Sequence, residues 1–517
     1  HQVLVTMTPS RTMAAEREAA IAKTLAEKKA AMKPEEIAAV IQTTAHLKEF
    51  QQTPDRPEDL AKIPLLTLAD ITPDTERLPL DEREIAGSKV LFSDLATHGI
   101  AYLSFYFDAS VLTSEDQLYA YLLCDLLGAV DSKKRSYTEL TKQKNLHTGG
   151  ISYDLRSVDP IAAPEKWTAK AVVKARVLVR KLPQLFALLE EILTTSRFND
   201  PKRMRELIDQ CLAGCERQIM NAPQRVMGAR LMAYLLPNAR FEDRSGLAYY
   251  NFLREIGKNF PARFDGLCAR LEEVRRKLYR REGLILAVTT EEKDYTAVAE
   301  SFAPFAAALP QKHYPAAEYA LEESVKNEGL TNSSRVQYVG KGANFRAMSY
   351  PFTGAMRVLE TIMRYGYLWN RVRVQGGAYG AAAQFTREGA MVFTSYRDPN
   401  LSETLDVYDS VADYLREFTA SEREMTKYII GTISGLDTPL TPQMKGALAV
   451  NGYLRGITYE MRQKTRREVL ATGEAEIRAL AELVDAGMKQ NIYCVFGNEE
   501  KLKENSDLFS RLISVME

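Results

Sequence analysis

The stretch Thr148-Gly149-Gly150-Ile151-Ser152-Tyr153 gives the first indication of the fold, because a similar stretch, Gln375-Gly376-Gly377-Ala378-Tyr379-Gly380, occurs again in the last third of the chain. Two further blocks recur in the same order, and the offsets between copies shorten by loop-sized steps. These pairs are Pro223-Gln224 before Tyr234-Leu235 with Pro442-Gln443 before Tyr453-Leu454, and residues 288–293 with residues 495–501. An ordered set of repeats at a long period indicates a duplicated domain.

Each copy of the repeat is predicted to mix strands with long helices. In the first copy, residues 90–92 and 100–107 have the apolar and aromatic character of strands, and helical periods follow them. Because the order is not strictly strand-helix-strand, we predict an α+β fold of two homologous domains, each a mostly antiparallel sheet with helices on one face. We expect these domains at residues 82–310 and 325–517, with a connector at residues 311–324.

The residues before the first repeat have a different composition. Between Arg11 and Phe50, Ala and charged residues dominate, and both are strong helix formers, while Pro34 suits the first turn of a second helix. We therefore predict that residues 10–81 form a helical hairpin followed by a proline-rich extended linker. A hairpin that is polar all round is typical of a bridge between larger bodies, and a surface helix pair with no further role fits the pattern equally.

Residues 1–9 begin with Gln2-Val3-Leu4-Val5-Thr6-Met7, which has the pattern of a β-strand and resembles residues 491–496 in the last repeat. A strand needs a neighbour for its backbone hydrogen bonds, and nothing immediately downstream offers one. We therefore expect residues 1–9 to be the closing strand of an upstream domain that is missing here.

Composition excludes several classes of protein. The 517 residues include 68 Lys and Arg against 68 Asp and Glu, so the basic excess of a nucleic-acid-binding chain is lacking. No apolar run approaches the roughly 18 residues of a membrane helix, and we expect neither nucleic acid nor membrane as a partner. The five cysteines do not form a disulfide scaffold, and so few of them favour a reducing interior, bacterial cytoplasm or organelle matrix.

The sequence lacks the motifs of a self-sufficient catalytic centre. A zinc hydrolase needs three protein ligands, but residues 46–50, His-Leu-Lys-Glu-Phe, end in a side chain that cannot bind metal. Cys211 and Cys215 have the spacing of a metal-binding pair, with no second pair of ligands nearby. Residues 431–435 place their serine one position too late for a nucleophile elbow. We therefore assign no metal ligand and no cofactor to this chain.

One group of residues, at the end of a predicted amphipathic helix, could still act on a substrate. Gly376 and Gly377 permit a sharp turn and close backbone approach, and Arg373 and Tyr379 flank that turn. Arg can donate to a peptide carbonyl or carboxylate, and a Tyr hydroxyl can donate to a developing oxyanion. A helix C-cap at glycine is the commoner explanation of such a pattern. The first copy of the repeat keeps its two glycines but has no Arg six residues ahead of a Tyr, as expected for a function added to one copy.

The stretch from Leu368 to Gly380 resembles the C-terminal half of insulinase/pitrilysin-type zinc metallopeptidases, most closely their presequence protease branch. The opening of the chain, the hairpin rich in Ala, Glu and Lys, and residues 146–151 also resemble that branch, so that the resemblance covers essentially the whole chain. It implies four homologous α+β domains in two halves that are joined by a helical hairpin and close around a peptide. Residues 10–52 would be that hairpin, and the two repeats would be the third and fourth domains.

The resemblance also implies that the chemistry is divided between two halves. The family's zinc ligands and general base, on an inverted His-x-x-Glu-His helix with a further Glu, have no counterpart here, so zinc is expected in a missing N-terminal half. There a zinc-activated water would attack a peptide carbonyl, with Glu as the base. Arg373 and Tyr379 would reach that site to hold the substrate and stabilise the tetrahedral intermediate, and Gly376 and Gly377 would complete the substrate-binding turn.

Two functions remain open at this point. The first is the non-catalytic C-terminal half of a zinc metalloendopeptidase that degrades unfolded peptides in a closed chamber, inactive without its N-terminal catalytic half. The alternative is a stand-alone peptide-binding or structural subunit of the same superfamily. A complete hydrolase with an unrecognised site is the least favoured interpretation. A reading frame that continues upstream of His1 and encodes the zinc motif would decide for the first.

Overall fold

The computed structural model describes residues 3–6, 8, 10, 12–53, 55–60, 62–64, 66–319 and 325–516. The chain divides into two compact units, residues 1–67 and residues 68–517. The described helices of the first unit are α1 Met13–Ala31, α2 Pro34–Gln52 and α3 Pro57–Leu60. The predicted helical hairpin is confirmed, with Pro34 in the first turn of α2, where its missing N–H costs no hydrogen bond.

The strand predicted at the start of the chain is not formed in this structure. Residues 3–6 have no regular secondary structure, and the side chains of Val3, Leu4 and Val5 are exposed. Gln2 and Met7, the ends of the predicted strand, lie outside the described residues. Alternating apolar residues form a strand only where a neighbouring strand accepts and donates their backbone hydrogen bonds, and no described strand pairs with residues 3–6. The upstream domain itself stays a prediction.

The second unit contains two sheets of six strands each. The strands of the first sheet are β1 Asp81–Ile85, β2 Ser88–Asp94, β3 Ile100–Asp108, β4 Ile151–Val158, β5 Thr168–Leu178 and β6 Ile285–Thr290. The strands of the second sheet are β7 Glu328–Asn332, β8 Tyr338–Asn344, β9 Gly380–Phe385, β10 Ala390–Tyr396, β11 Ile492–Asn498 and β12 Arg511–Ser514.

Helices connect the strands in both repeats. Those of the first repeat are α4 Ser114–Leu126, α5 Tyr137–His147, α6 Leu182–Thr195, α7 Pro201–Asn221, α8 Pro223–Leu235, α9 Pro237–Asp243, α10 Tyr249–Lys258, α11 Phe260–Leu278 and α12 Tyr295–Ala308. Those of the second repeat are α13 Gly354–Tyr365, α14 Ser402–Asp409, α15 Val411–Arg416, α16 Glu422–Leu436, α17 Pro442–Arg455, α18 Tyr459–Leu470, α19 Glu474–Arg478, α20 Ala481–Met488 and α21 Glu499–Glu504. Within the described ranges, no helix combines the length and the apolar character needed to cross a membrane.

The two sheets have the same topology over five of their six strands. The strand order is β1-β2-β6-β3-β5-β4 in the first sheet and β12-β7-β11-β8-β10-β9 in the second. Each sheet has a parallel pair at the matching place, β2 with β6 and β7 with β11, and the three pairs that follow are antiparallel. The outermost strands differ, since β1 pairs antiparallel and β12 pairs parallel. The predicted duplication and the α+β fold are confirmed.

Each sheet buries one face under helices of its own repeat. Along β3, Ala101, Leu103, Phe105 and Phe107 are buried in that core, and the residues between them are half-buried on the opposite face. This is the period of two that a strand with two different environments requires.

The opposite face of each sheet is partly covered by a helix from the other repeat. Helix α8 packs on β8 and β11 of the second sheet, and α17 packs on β2 and β6 of the first. The contacts are close, because a Cβ added at Gly340 in β8 would overlap with Sδ of Met227 in α8. The repeated Pro-Gln blocks therefore begin two helices that the repeats exchange, a feature that the sequence alone did not predict.

Polar contacts also join the repeats. Glu328 in β7 is fully buried and accepts hydrogen bonds from the Tyr234 hydroxyl at 2.5 Å and from Nε of Arg511 at 2.6 Å. At the end of α17, Nη2 of Arg455 lies 3.1 Å from Oδ2 of the buried Asp159. A buried charge destabilises a protein unless it is paired. The contacts of Tyr234 with Glu328 and of Arg455 with Asp159 cross between the repeats and stabilise their association.

The segment between residue 68 and β1 lies along α18. Arg466 donates from Nε to the Thr72 carbonyl at 2.9 Å, and the Thr75 N–H donates to Oε1 of Gln463 at 2.8 Å. Apart from a 3₁₀ turn at Leu68–Asp70, this segment has no helix or strand. Side chains of α18 thus satisfy backbone groups that an extended segment cannot pair within itself.

Candidate functional site

The turn that precedes β9 is built from a π-helical segment and two glycines. Residues Trp369–Gln375 form the π-helix, whereas the sequence predicts only that an amphipathic helix closes here. The N–H groups of Gly376 and Gly377 donate back to the carbonyls of Arg371 and Arg373 at 3.1 and 2.9 Å. Carbonyl groups of the π-helical segment therefore accept the hydrogen bonds of the two glycines, and the chain continues into β9 at Gly380.

Both glycines are required by the geometry of the turn. Gly377 has a φ of 82°, in the left-handed region that residues with a Cβ rarely adopt. A Cβ at Gly376 would lie 2.6 Å from the Val372 carbonyl oxygen, closer than real Cβ contacts allow. The prediction of a sharp turn at these two positions is confirmed.

Arg373 and Tyr379 come together on the surface beside this turn. The guanidinium carbon of Arg373 lies 3.8 Å from the centroid of the Trp369 ring and 6.0 Å from that of Tyr379. The Tyr379 side chain is 68% exposed, and its ring meets Tyr396 edge-on, with centroids 5.9 Å apart. The glycine C-cap, the commoner explanation of the sequence pattern, is therefore present at this turn, and Tyr379 is exposed beside it.

The polar groups of this pair have no partners of their own. Within the part of the chain that the structure describes, the Tyr379 hydroxyl forms no hydrogen bond and the Arg373 guanidinium forms no ion pair. Trp369 restricts the Arg373 guanidinium, because a cation over the face of Trp is attracted by its quadrupole. The arrangement presents two positioned donors to whatever approaches the surface.

Hydrogen bonds from residues that follow β10 in the chain also support the turn. Nδ2 of Asn400 donates to the Gly376 carbonyl at 2.6 Å. The Asn400 N–H in turn donates to the buried Asp398 carboxylate at 2.9 Å, and so does the Thr404 hydroxyl at 2.7 Å. Burial raises the pKa of Asp398, although these two hydrogen bonds oppose the shift.

Sequence reasoning missed Trp369, Asn400 and Asp398. Trp369 lies four positions before Arg373, and this spacing was a usable signal, because residues four apart can meet on one side of a helix. Nothing local pointed to Asn400 or Asp398, since they reach the turn only through the tertiary fold.

The equivalent turn of the first repeat is built differently. Gly150 has a φ of 123°, so the glycine turn is kept. Arg176 of the neighbouring strand β5 donates from Nη2 to the Gly149 carbonyl at 2.8 Å and so occupies this turn. The paired donors beside Gly376 and Gly377 belong to the second repeat.

The other candidates from the sequence are not assembled into a site. Among the described residues, no group of three or more His, Cys, Asp or Glu side chains is placed to hold a metal ion. Burial raises the pKa of Cys211 to about 12 and that of Cys215 to about 11. A thiol binds metal as the thiolate, so these shifts oppose the metal-pair interpretation.

Family models match both repeats. The model for the region associated with peptidases of family M16, subfamily C, matches residues 7–256, and the "PreP C-terminal domain" matches residues 327–496. "Protein HypA" of Clostridium perfringens is 34% identical over 100% of this chain and 53% of its own length. "Presequence protease 1, chloroplastic/mitochondrial" of Arabidopsis thaliana is 32% identical over 98% of this chain and 48% of its own length. The chain thus spans about half the length of the curated relatives it matches.

Solved structures share the fold at lower identity. A peptidase M16 inactive domain from Pseudomonas fluorescens aligns with a TM-score of 0.57 at 19% identity, over 81% of this chain and 97% of that one. A protease from Helicobacter pylori aligns with a TM-score of 0.54 at 12% identity, over 81% of this chain and 99% of that one.

The two matched family models define the class: the chain is a C-terminal-type half of the M16 peptidases. Within that class it is related to the presequence proteases. The resemblance that residues 368–380 carried is confirmed. The roles of Arg373, Tyr379, Gly376 and Gly377 stay predictions.

Proposed function

We propose that this chain is the non-catalytic C-terminal half of a zinc metalloendopeptidase that degrades unfolded peptides inside a closed chamber. Its partner would be an N-terminal half that holds the zinc ion, which supplies an activated water for attack on the peptide carbonyl. The observation that carries the proposal is the pair of donors beside the glycine turn, the exposed Tyr379 and the half-buried Arg373, which have no hydrogen-bond or ion-pair partner among the described residues. Relatives named as presequence proteases, of which this chain spans half, support it.

Arg373 would position the substrate backbone. Its guanidinium is planar and always charged, and stacking on Trp369 at 3.8 Å restricts its orientation. From this position the guanidinium can donate to a peptide carbonyl or to a carboxylate of the substrate.

Tyr379 would stabilise the negative charge that develops during attack. A hydroxyl donates one hydrogen bond, and that of Tyr379 is free among the described residues to direct it toward an approaching oxygen. The edge-on contact with Tyr396 supports one side of this exposed ring and limits the reorganisation needed as charge develops.

Unfolded peptides suit such a surface because their backbone carbonyls are not yet paired. A folded protein satisfies those groups internally and has none to offer. The glycines complete the site, since their missing side chains allow a substrate backbone to approach the turn closely. Closure of the two halves would then exclude folded proteins by size.

Reconstitution tests this proposal. We expect this chain alone not to cleave a fluorogenic unfolded peptide, and the mixture with its zinc-bearing N-terminal half to cleave it. In that mixture Arg373→Ala should lower kcat/KM by about 10- to 100-fold, since a hydrogen bond from a charged group contributes about 1.5–3 kcal/mol. The matched control is Arg371→Ala, which removes an exposed arginine from the same π-helical segment and should keep wild-type activity.

Three results would contradict the proposal. Hydrolysis by this chain alone would show that the chemistry is not divided between halves. Wild-type turnover of the Arg373→Ala mixture would remove the assigned role of that residue. Peptide binding by this chain, with no hydrolysis in the mixture, would favour the stand-alone peptide-binding subunit.

A further inference from the structure

A groove of about 500 Å³ lies on the outer face of the first sheet. Its floor comes from outward-facing residues of β3, β4 and β5, and one wall comes from helix α17 of the second repeat. The glycine turn Gly149-Gly150 borders it. We call it the first-repeat groove. Its volume falls in the range of about 300–1,000 Å³ that is usual for ligand sites.

The shape of the floor follows from the strand register. Lys174 in β5 lies between two small residues, Ser104 in β3 and Ser152 in β4. Large side chains border this row on both sides, because Tyr102 lies opposite Arg176 and the next outward position of β3 is Tyr106. Small residues around a lysine and bulky residues beyond them make a depression with the lysine at its centre.

Cations dominate the charge of the groove. Among the described residues that line it, the charged ones are Arg156, Lys174 and Arg176, and none is a carboxylate. Arg156 is paired with Asp154, Nε to Oδ2 at 2.5 Å, and Arg176 donates to the Gly149 carbonyl. Lys174 is exposed and has no ion-pair partner within the described part of the chain. In a protein whose net charge is zero, this local positive excess favours an anionic ligand.

We propose that the first-repeat groove binds an acidic segment of an extended peptide, with a carboxylate of that segment paired to Lys174. An extended peptide repeats its side chains at about 7 Å for every two residues, the same period as the row Tyr102, Ser104 and Tyr106 below it. The tyrosine rings supply surface for the segment on either side of the carboxylate. Neither Arg373 nor Tyr379 lines the groove, so the proposed site is distinct from that pair.

A peptide fits this groove better than a nucleic acid. Tight binding of a polyphosphate requires many cations, each neutralising one phosphate. Here only two cations lack a carboxylate partner among the described lining residues, Lys174 and Arg176, and Arg176 already donates to the Gly149 carbonyl. So few available cations suit an extended peptide with one carboxylate better than a polyphosphate.

Fluorescence anisotropy with the complete 517-residue chain tests the proposal. The probe is a labelled, unstructured peptide of about ten residues of Gly, Ser and Glu, and its counterpart carries Lys in place of each Glu. We expect the acidic peptide to bind and the basic one not to bind. Lys174→Glu should raise the Kd of the acidic peptide about tenfold, more than removal of one exposed ion pair alone would, because it also introduces repulsion.

The matched control is Lys133→Glu, which makes the same charge change at an exposed lysine outside the groove. It should leave the Kd within about twofold of wild type, because salt screens exposed charges that do not contact the ligand. Lys174→Ala serves as a second variant and should weaken binding less than the reversal does. Because the Lys174 side chain is exposed and unpaired among the described residues, Lys174→Ala and Lys174→Glu should both keep the wild-type unfolding midpoint.

Several outcomes would overturn the proposal. Equal weakening by Lys174→Glu and Lys133→Glu would show general attraction to charge. Equal affinity for the acidic and basic peptides, or no binding of the acidic one, would remove the acidic ligand. A short oligonucleotide that binds more tightly than the acidic peptide, and loses affinity in Lys174→Glu, would replace the peptide with a nucleic acid. None of these results bears on the proposed function, which is measured as turnover with the N-terminal half.

Discussion

At the scale of single residues, Gly376 and Gly377 decide how Arg373 and Tyr379 are presented. The sequence predicted the turn and its two flanking side chains because a glycine pair is local information. It could not predict that Asn400, 24 residues after Gly376, holds that glycine's carbonyl. The direction in which Arg373 points also depends on the ring of Trp369, whose placement the fold determines.

The backbone at Gly377 gives a direct prediction. Gly377→Ala should lower the free energy of unfolding by about 1–2 kcal/mol, because a Cβ disfavours the left-handed region that this residue occupies. Gly380→Ala is the control, since a Cβ there meets nothing within 4 Å and its φ is not positive. Urea titration should show the loss in the first variant only. Equal stability of the two variants would show that the turn does not need a positive φ.

At the scale of secondary structure, the exchanged helices α8 and α17 are the feature that the sequence did not reveal. The repeated Pro-Gln blocks marked where each helix starts, because proline suits the first helical turn. Which sheet a helix covers depends on contacts between residues that are distant in the sequence. Val450 of α17, for example, packs with Leu91 of β2 and Ala287 of β6, across the two repeats.

Gly446 tests the contact between α17 and the first sheet. A Cβ there would overlap with Oγ1 of Thr289, so Gly446→Ala should destabilise the protein by about 1–3 kcal/mol through overpacking. Gly228→Ala makes the same change in α8, where a Cβ meets nothing within 4 Å. That control should gain about 0.5–1 kcal/mol, since Ala favours helix over Gly. Thermal unfolding measures both, and a stabilised Gly446→Ala would show that α17 does not pack closely on β6.

At the scale of the whole molecule, the two repeats depend on each other for part of their cores. Each contributes a helix to the other's sheet, and buried Glu328 is paired with Tyr234 across them. The sequence identified the duplication from block order, and the matching strand orders confirm it. The strand predicted at residues 2–7 is not formed over the described residues 3–6, because a period of two indicates strand character but does not supply the neighbouring strand.

This interdependence predicts that the repeats unfold together. The chain has two tryptophans, Trp167 in the first repeat and Trp369 in the second, so that Trp369→Phe and Trp167→Phe each leave one reporter. Their fluorescence transitions in urea should coincide with each other and with the loss of helical circular dichroism, as a cooperative unit requires. Two separate midpoints, one for each tryptophan, would show that the exchanged helices do not couple the repeats.

The most direct test of the central claim is the kcat of Tyr379→Phe in the mixture with the zinc-bearing half. Removing one oxyanion donor costs about 10²–10³-fold in other hydrolases, and a donor that acts on the transition state should change kcat much more than KM. Tyr365→Phe is the control, since Tyr365 on α13 is 61% exposed and lies outside the turn. We predict a fall of about 10²–10³-fold in kcat for Tyr379→Phe and no change for Tyr365→Phe. A wild-type kcat for Tyr379→Phe would contradict the claim that this half donates to the reacting oxygen.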